Sequence, residues 1–136
     1  MNDNSKAHVN DVIKTMLERS SIRAYTDEKL TQEQISLLRN AALSAPTAMN
    51  AQDQRFVFVT NAEIIAELEA GVVEAACAGG DAAFAERIKQ RGGKIMYDAP
   101  LFVGIFAHSA KFSGVDAGIA VQNIALAAKS IGLDSV

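Results

Sequence analysis

The sequence predicts an α+β domain, and three observations carry that prediction. Two short runs, residues 56–59 and 101–107, combine β-branched and aromatic side chains without polar interruption, as strands buried on both faces do. Around them lie stretches with apolar residues at helical spacing. Capping residues and glycine or proline breaks separate those stretches into whole helices. The 136 residues suit one domain rather than two.

In chain order, residues 1–8 are polar and read as a flexible tail ahead of a domain at 9–136. Val9, Val12, Ile13, Met16 and Leu17 share one face of the first helix. Asn10 can cap it, and it should run out near Arg19 and Ser20. Thr31-Gln32-Glu33-Gln34 has capping-box form, in which the Thr31 hydroxyl and the Gln34 amide satisfy early backbone N–H groups reciprocally. Ile35, Leu38 and Ala42 line the helix behind it, with Leu37 and Ala41 beside them. Pro46 disfavours helical geometry at Ala45 and stops the helix there. Residues 47–54 are polar and aperiodic, hence a loop leading into the first strand. Thr60 or Asn61 can cap the next helix, which carries Ile64, Ile65 and Leu68. Gly79-Gly80 breaks it. Asp81 can cap a further short helix through Phe84 and Ile88, which Gly92-Gly93 ends. Pro100 precedes the second strand.

The last helix is the most informative about packing. Ser113 and Asp116 have capping-box spacing. Over residues 115–131 the only charges are Asp116 and Lys129, and Ile119, Ala120, Val121, Ile124, Ala125, Leu126, Ala127 and Ala128 fall on every side. A helix apolar all round should be buried all round. One place that offers this is a close-packed subunit interface, where alanines and Gly118 let backbones approach. Gly132 supplies a left-handed cap. The sequence stops four residues later, so either a partner chain covers the helix or the sequence is part of a longer protein.

Hydrophobic residues make up 49% and charged residues 21%, which excludes wholesale disorder. The net charge of −3 argues against a general electrostatic grip on nucleic acid or anionic membrane, so any anion must be held by a local positive cluster. No apolar stretch reaches the roughly 20 residues that cross a bilayer. The N-terminus lacks the apolar run of a signal peptide. A soluble cytoplasmic protein is expected. Cys77 is the one cysteine; it cannot form an internal disulfide and reads as a small buried side chain. No Cys/His spacing suggests a metal site. His8 and His108 stand alone and read as structural or solvated. Glu63, Glu67, Glu69 and Glu74 read as a solvated acidic helix face. The glycine pairs do not make a dinucleotide fingerprint.

Two segments could carry chemistry. Arg19-Ser20-Ser21-Ile22-Arg23 puts two guanidinium groups and two hydroxyls within five residues, a set that suits a phosphate. It equally suits an ordinary helix end, where arginine is favoured by the dipole and serine is common. Pro46-Thr47-Ala48-Met49-Asn50-Ala51-Gln52 is rich in amide and hydroxyl groups between a helix and a buried strand. Such loops often bind a planar polar ligand, and also occur as plain turns in which Asn50 takes left-handed geometry.

Together the two segments resemble the nitroreductase family of FMN-dependent oxidoreductases. Arg19, Ser21 and Arg23 match its Arg-x-Ser-x-Arg/Lys signature. Ala45-Pro46-Thr47-Ala48-Met49-Asn50-Ala51-Gln52 matches its Ala-Pro-Ser/Thr-x-x-Asn-x-Gln. Asp98-Ala99-Pro100 matches the entry to a strand, and Asp116, Gln122-Asn123, Leu126-Ala127-Ala128 and Gly132-Leu133 match the long central helix. The matches run in order from Val9 to Val136. Asp53-Gln54 departs from the Pro and aromatic residue that often follow the family's Gln, and Asp134 replaces the second glycine of Gly-Leu-Gly-Ser. The family also continues past this point, so the domain at 9–136 is C-terminally incomplete relative to it.

The resemblance implies a central, mostly antiparallel sheet flanked by helices, in an intertwined homodimer with FMN at the interface. It implies that Arg19, Ser20, Ser21 and Arg23 hold the phosphate and ribityl end, and that Pro46, Thr47, Ala48 and Asn50 come from the other subunit. The implied reaction is ping-pong hydride transfer from NAD(P)H through the flavin to a nitroaromatic, quinone or similar small-molecule acceptor. The cofactor carries the chemistry, so no catalytic side chain is expected. The alternative is a non-catalytic dimeric protein of the same fold without a working flavin site.

Overall fold

A computed structural model describes residues 10–79, 82–108 and 111–136. The expected tail at 1–8, with His8, and the expected roles of Val9, Gly80 and Asp81 lie outside the described residues. Helix α1 spans Asp11–Glu18, and the Asn10 side chain accepts from the Ile13 N–H at 3.1 Å, as its cap should. Helix α2 spans Gln32–Leu43. Its capping box is complete: Gln34 N–H donates to the Thr31 hydroxyl, and Thr31 N–H donates to the Gln34 side chain. Strand β1 follows at Arg55–Val59, then α3 at Ala62–Ala78 and α4 at Ala82–Gln90. Asn61 rather than Thr60 caps α3, accepting from the Glu63 and Ile64 N–H groups. Strand β2 spans Phe102–Phe106 and α5 spans Ser113–Ser130.

The two strands pair antiparallel, with Arg55 opposite Phe106, Val57 opposite Gly104 and Val59 opposite Phe102. Helices α3 and α4 fill the connection between them. Helix α2 packs along α5, α1 packs on α5, and α3 packs on α4. The buried apolar side chains are Ile35, Leu38 and Ala42 of α2, Ile65 of α3, Ile88 of α4, and Ala120 and Ala128 of α5. The core therefore centres on α2 against α5, where small alanines let the helices approach. Gly132 ends α5 with a positive φ of 79°, and Leu133 N–H reaches back to the Ala128 carbonyl at 2.9 Å, closing the turn that only glycine adopts freely.

Several expectations are corrected. Ser113 and Asp116 do not form a capping box. Phe112 occupies the cap position without a side-chain bond, Ser113 Oγ donates to the His108 carbonyl, and the Asp116 carboxylate is taken by a distant backbone donor. The strands are not buried on both faces: Val57 is 45% exposed and Phe106 61%, because two strands alone leave part of the sheet uncovered. Helix α5 is not buried all round within one chain, since Val115 and Val121 stay exposed. Cys77 is exposed, because α3 fully buries only Ile65. Glu69 leaves the solvated acidic face, as shown below.

Candidate functional site

The 46–52 loop starts where α2 ends at Ser44 and runs through a short 3₁₀ turn at Ala48–Asn50. Met49, Asn50 and Gln52 have φ of 53°, 54° and 49°, in the left-handed region. Asparagine tolerates that region, whereas methionine and glutamine enter it at a cost that surrounding bonds must offset. Those bonds are present. Gln52 N–H donates to Thr47 Oγ at 3.0 Å, and Asn50 N–H donates to the Thr47 carbonyl at 2.9 Å. Ala48 N–H donates to both Asp116 carboxylate oxygens, at 3.1 and 3.2 Å. Asp116 is only 5% exposed and sits in the first turn of α5, where the helix dipole favours negative charge. The loop is thus clamped at its back, while Pro46, Met49 and Asn50 face outward. The Asn50 amide makes no hydrogen bond among the described residues.

The 19–23 segment is held differently. Arg19 closes α1 through its own N–H to the Thr15 carbonyl at 3.0 Å. Ser21 forms a single parallel bridge with Ser135, through Ile22 N–H to the Ser135 carbonyl at 3.0 Å. Ser20, Ser21 and Arg23 are exposed and Arg19 is half-buried. Neither guanidinium makes an ion pair or hydrogen bond among the described residues. Nearby, Tyr25 Oη donates to the Ile22 carbonyl at 2.9 Å. Burial pushes the Tyr25 phenol above its ordinary value; the charge of Asp134 adds to this and that of Arg23 opposes it.

The eight expected residues therefore form two clusters, and one chain does not unite them. Ala48 is tied to the first turn of α5, and Ile22 is tied to Ser135 beyond its last. Asp134 is kept near that end by an ion pair with Lys129 at 2.9 Å. With 18 residues in α5, the anchors lie on the order of 20 Å apart along its axis. An open, mainly apolar cleft of about 850 Å³ lies beside the Ser135 anchor, lined by residues such as Ile22, Tyr25, Leu38, Phe102, Ile124 and Ser135. None of the eight expected residues lines it.

Sequence reasoning missed two positions. From sequence Asp116 reads as a capping-box partner of Ser113 and as a match to the family's central helix, not as a clamp on the 46–52 loop. Glu69, half-buried, accepts from the Ile95 and Met96 N–H groups at 2.6 Å each and so fixes the approach to β2. Gln54, just before β1, is 9% exposed, and its Nε2 has no hydrogen-bond partner among the described residues. Among the described residues no three His, Cys, Asp or Glu side chains cluster, and no helix is long and apolar enough to cross a membrane. Chemically, two unpaired guanidinium groups beside two exposed hydroxyls fit a dianionic phosphate. An exposed amide on a rigid loop fits the polar edge of a planar ring.

The sequence profile described as the nitroreductase family matches residues 16–136. An FMN reductase (NAD(P)H) of Bacillus subtilis strain 168 is 32% identical over 139 residues, covering 94% of this chain and 53% of the relative. A putative NADH dehydrogenase/NAD(P)H nitroreductase of Methanothermobacter thermautotrophicus is 30% identical over 133 residues, covering 93% of this chain and 59% of that protein. The chain thus spans little more than half the length of these relatives. Among solved structures, a nitroreductase with bound FMN from Desulfitobacterium hafniense superposes with a TM-score of 0.85 at 34% identity, over 92% of this chain and 68% of that one. A second, from Bacteroides fragilis and also with bound FMN, gives 0.78 at 27% identity, over 91% and 67%.

Proposed function

This chain belongs to the nitroreductase family, and from that membership we propose that it serves an FMN-dependent oxidoreductase built as a homodimer. The observation that carries the reading is the anchoring of the two polar clusters at opposite ends of α5. In an isologous pair with the two α5 helices antiparallel, the 46–52 loop of one subunit comes beside the 19–23 segment of the other. The same pairing would cover Val115 and Val121, which a single chain leaves open.

In this reading Arg19 and Arg23 neutralise the FMN phosphate, and the Ser20 and Ser21 hydroxyls bond the phosphate and ribityl end. From the other subunit, Pro46 and Ala48 shape the wall against the ring, and the Asn50 amide offers both a donor and an acceptor to its edge. Thr47 Oγ already accepts from Gln52 N–H, so its hydroxyl proton is free to donate. The chemistry FMN supplies when bound is acceptance of hydride from NAD(P)H and, in ping-pong order, its delivery to a nitroaromatic, quinone or similar acceptor. We place the protein in the cytoplasm, with a small-molecule acceptor rather than nucleic acid or membrane as its partner. Residues 9–136 act as one nitroreductase-like domain.

One observation favours a second reading, a dimer of the same fold without a working flavin site. Gln54 stands where the sequence departs from the family pattern, and its buried amide nitrogen is unpaired among the described residues. Absorbance separates the two. Protein mixed with FMN and freed of excess ligand should retain about one flavin per chain, and NADH or NADPH should bleach it. A colourless dimer after the same treatment supports the second reading.

A further inference from the structure

We propose that Asp116 is a positioning residue for the flavin site: its buried carboxylate holds the 46–52 loop in the one conformation that presents Thr47, Ala48 and Asn50 to the ring. The inference rests on the flavin-binding reading above and deepens it. The bond joins residues 68 positions apart, and both carboxylate oxygens are directed at one backbone donor, Ala48 N–H. That donor heads a turn whose next two residues are left-handed, as is Gln52 after them. A loop with three non-glycine residues at positive φ does not hold its shape by backbone preference; tertiary contacts must over-determine it. The Thr47–Gln52 bond fixes the loop to itself. Only the Asp116 bond fixes this turn to the body of the chain among the side-chain hydrogen bonds of the described residues.

Elsewhere α5 is apolar or neutral until Lys129, so a buried acid at Asp116 is costly unless it serves a partner. Helix α5 also bonds the end of α2 through Asn123 Nδ2 and the Ala41 carbonyl, at 3.3 Å. The element that would carry the subunit interface thereby sets the loop that reaches across it. Pairing of subunits and shape of the flavin site share one rigid body.

The test uses a double-mutant cycle on the whole protein, read by FMN affinity, the flavin absorbance band and exchange of the Ala48 amide without ligand. Asp116→Ala removes the acceptor. Ala48→Pro removes the donor at the first position of a helical turn, where proline is tolerated, after a Thr47 whose φ of −125° and ψ of 150° suit a residue before proline. Each should weaken FMN about tenfold and shift the band. The double variant should be no weaker than the weaker single one. Asp116→Asn keeps an oxygen for Ala48 N–H and should recover most of the affinity. In Asp116→Ala the Ala48 amide should lose its protection from exchange. Multiplying losses, about a hundredfold in the double variant, would overturn the proposal. So would an Asp116→Ala protein with wild-type FMN affinity and band, or an unchanged Ala48 exchange rate. Wild-type protein that takes up no FMN defeats the cofactor reading itself and this proposal with it. Failure of the variants alone defeats only the role of Asp116.

Discussion

The 46–52 loop and the 19–23 segment form the two halves of the candidate site, and the chain holds them in opposite ways. The loop is over-determined: a buried carboxylate, a threonine hydroxyl and two turn bonds fix residues that sit in unfavourable backbone regions. The arginine segment hangs on one bridge to Ser135, from a helix with no buried residue, and leaves both guanidinium groups unpaired among the described residues. The difference follows from what each would bind. Hydrogen bonds to the edge of a flat ring depend on direction, so their donors must be placed beforehand. Attraction between guanidinium and phosphate falls off slowly with distance, and long side chains can adjust to it. Rigidity belongs to the loop and charge to the segment.

The strongest way to break this comparison is to remove the charge. Each charge-assisted bond contributes roughly 1.5–3 kcal/mol, so Arg19→Ala with Arg23→Ala should weaken FMN by a hundredfold or more. Loss of neutral bonds through Thr47→Ala with Asn50→Ala should cost about tenfold. Titration of flavin fluorescence at two ionic strengths measures both. The wild-type affinity should fall with salt and the arginine-free variant should not. Equal losses with equal salt dependence would remove the distinction.

Mixed dimers sharpen it further. One chain carries Arg19→Ala and Arg23→Ala, and the other carries Thr47→Ala and Asn50→Ala. If the loop acts across the interface, both lesions fall in one site and each heterodimer binds about one FMN at near-normal affinity. If the loop serves its own chain, every site is damaged once and no site binds at near-normal affinity.

The smallest effect concerns how firmly the arginine segment is docked. Tyr25, two residues past Arg23, has its phenol raised above the ordinary value of 10.0, first by burial. The unfolded chain therefore ionises first. The stability carried by the neutral phenol is complete below pH 10 and is lost as pH rises through the higher folded value. Urea midpoints followed from neutral pH upward should fall above pH 10 in the wild type and fall less in Tyr25→Phe. Identical alkaline profiles would mean that the segment lies undocked in solution.

Local chemistry made much of the chain legible in advance. The Asn10, Thr31 and Asn61 caps, the end of α2 before Pro46 and the turn at Gly132 rest on bonds within a few residues, so the sequence determined them by itself. The candidate phosphate set could be proposed for the same reason, as arginine and serine chemistry concentrated in five positions. Register, burial and long-range bonds were not. Asp116 looked like a helix cap because its spacing from Ser113 is right; only the packing of α2 on α5 brings Ala48 N–H within 3.1 Å and makes a clamp of it. Glu69 looked solvated among its acidic neighbours until the chain before β2 laid two N–H groups on it. Cys77 and Val57 looked buried because composition records what a side chain prefers and not which neighbour arrives to cover it. A cap closes within one turn, whereas a tertiary contact depends on where every intervening element has packed, and that is what the tertiary structure alone decided.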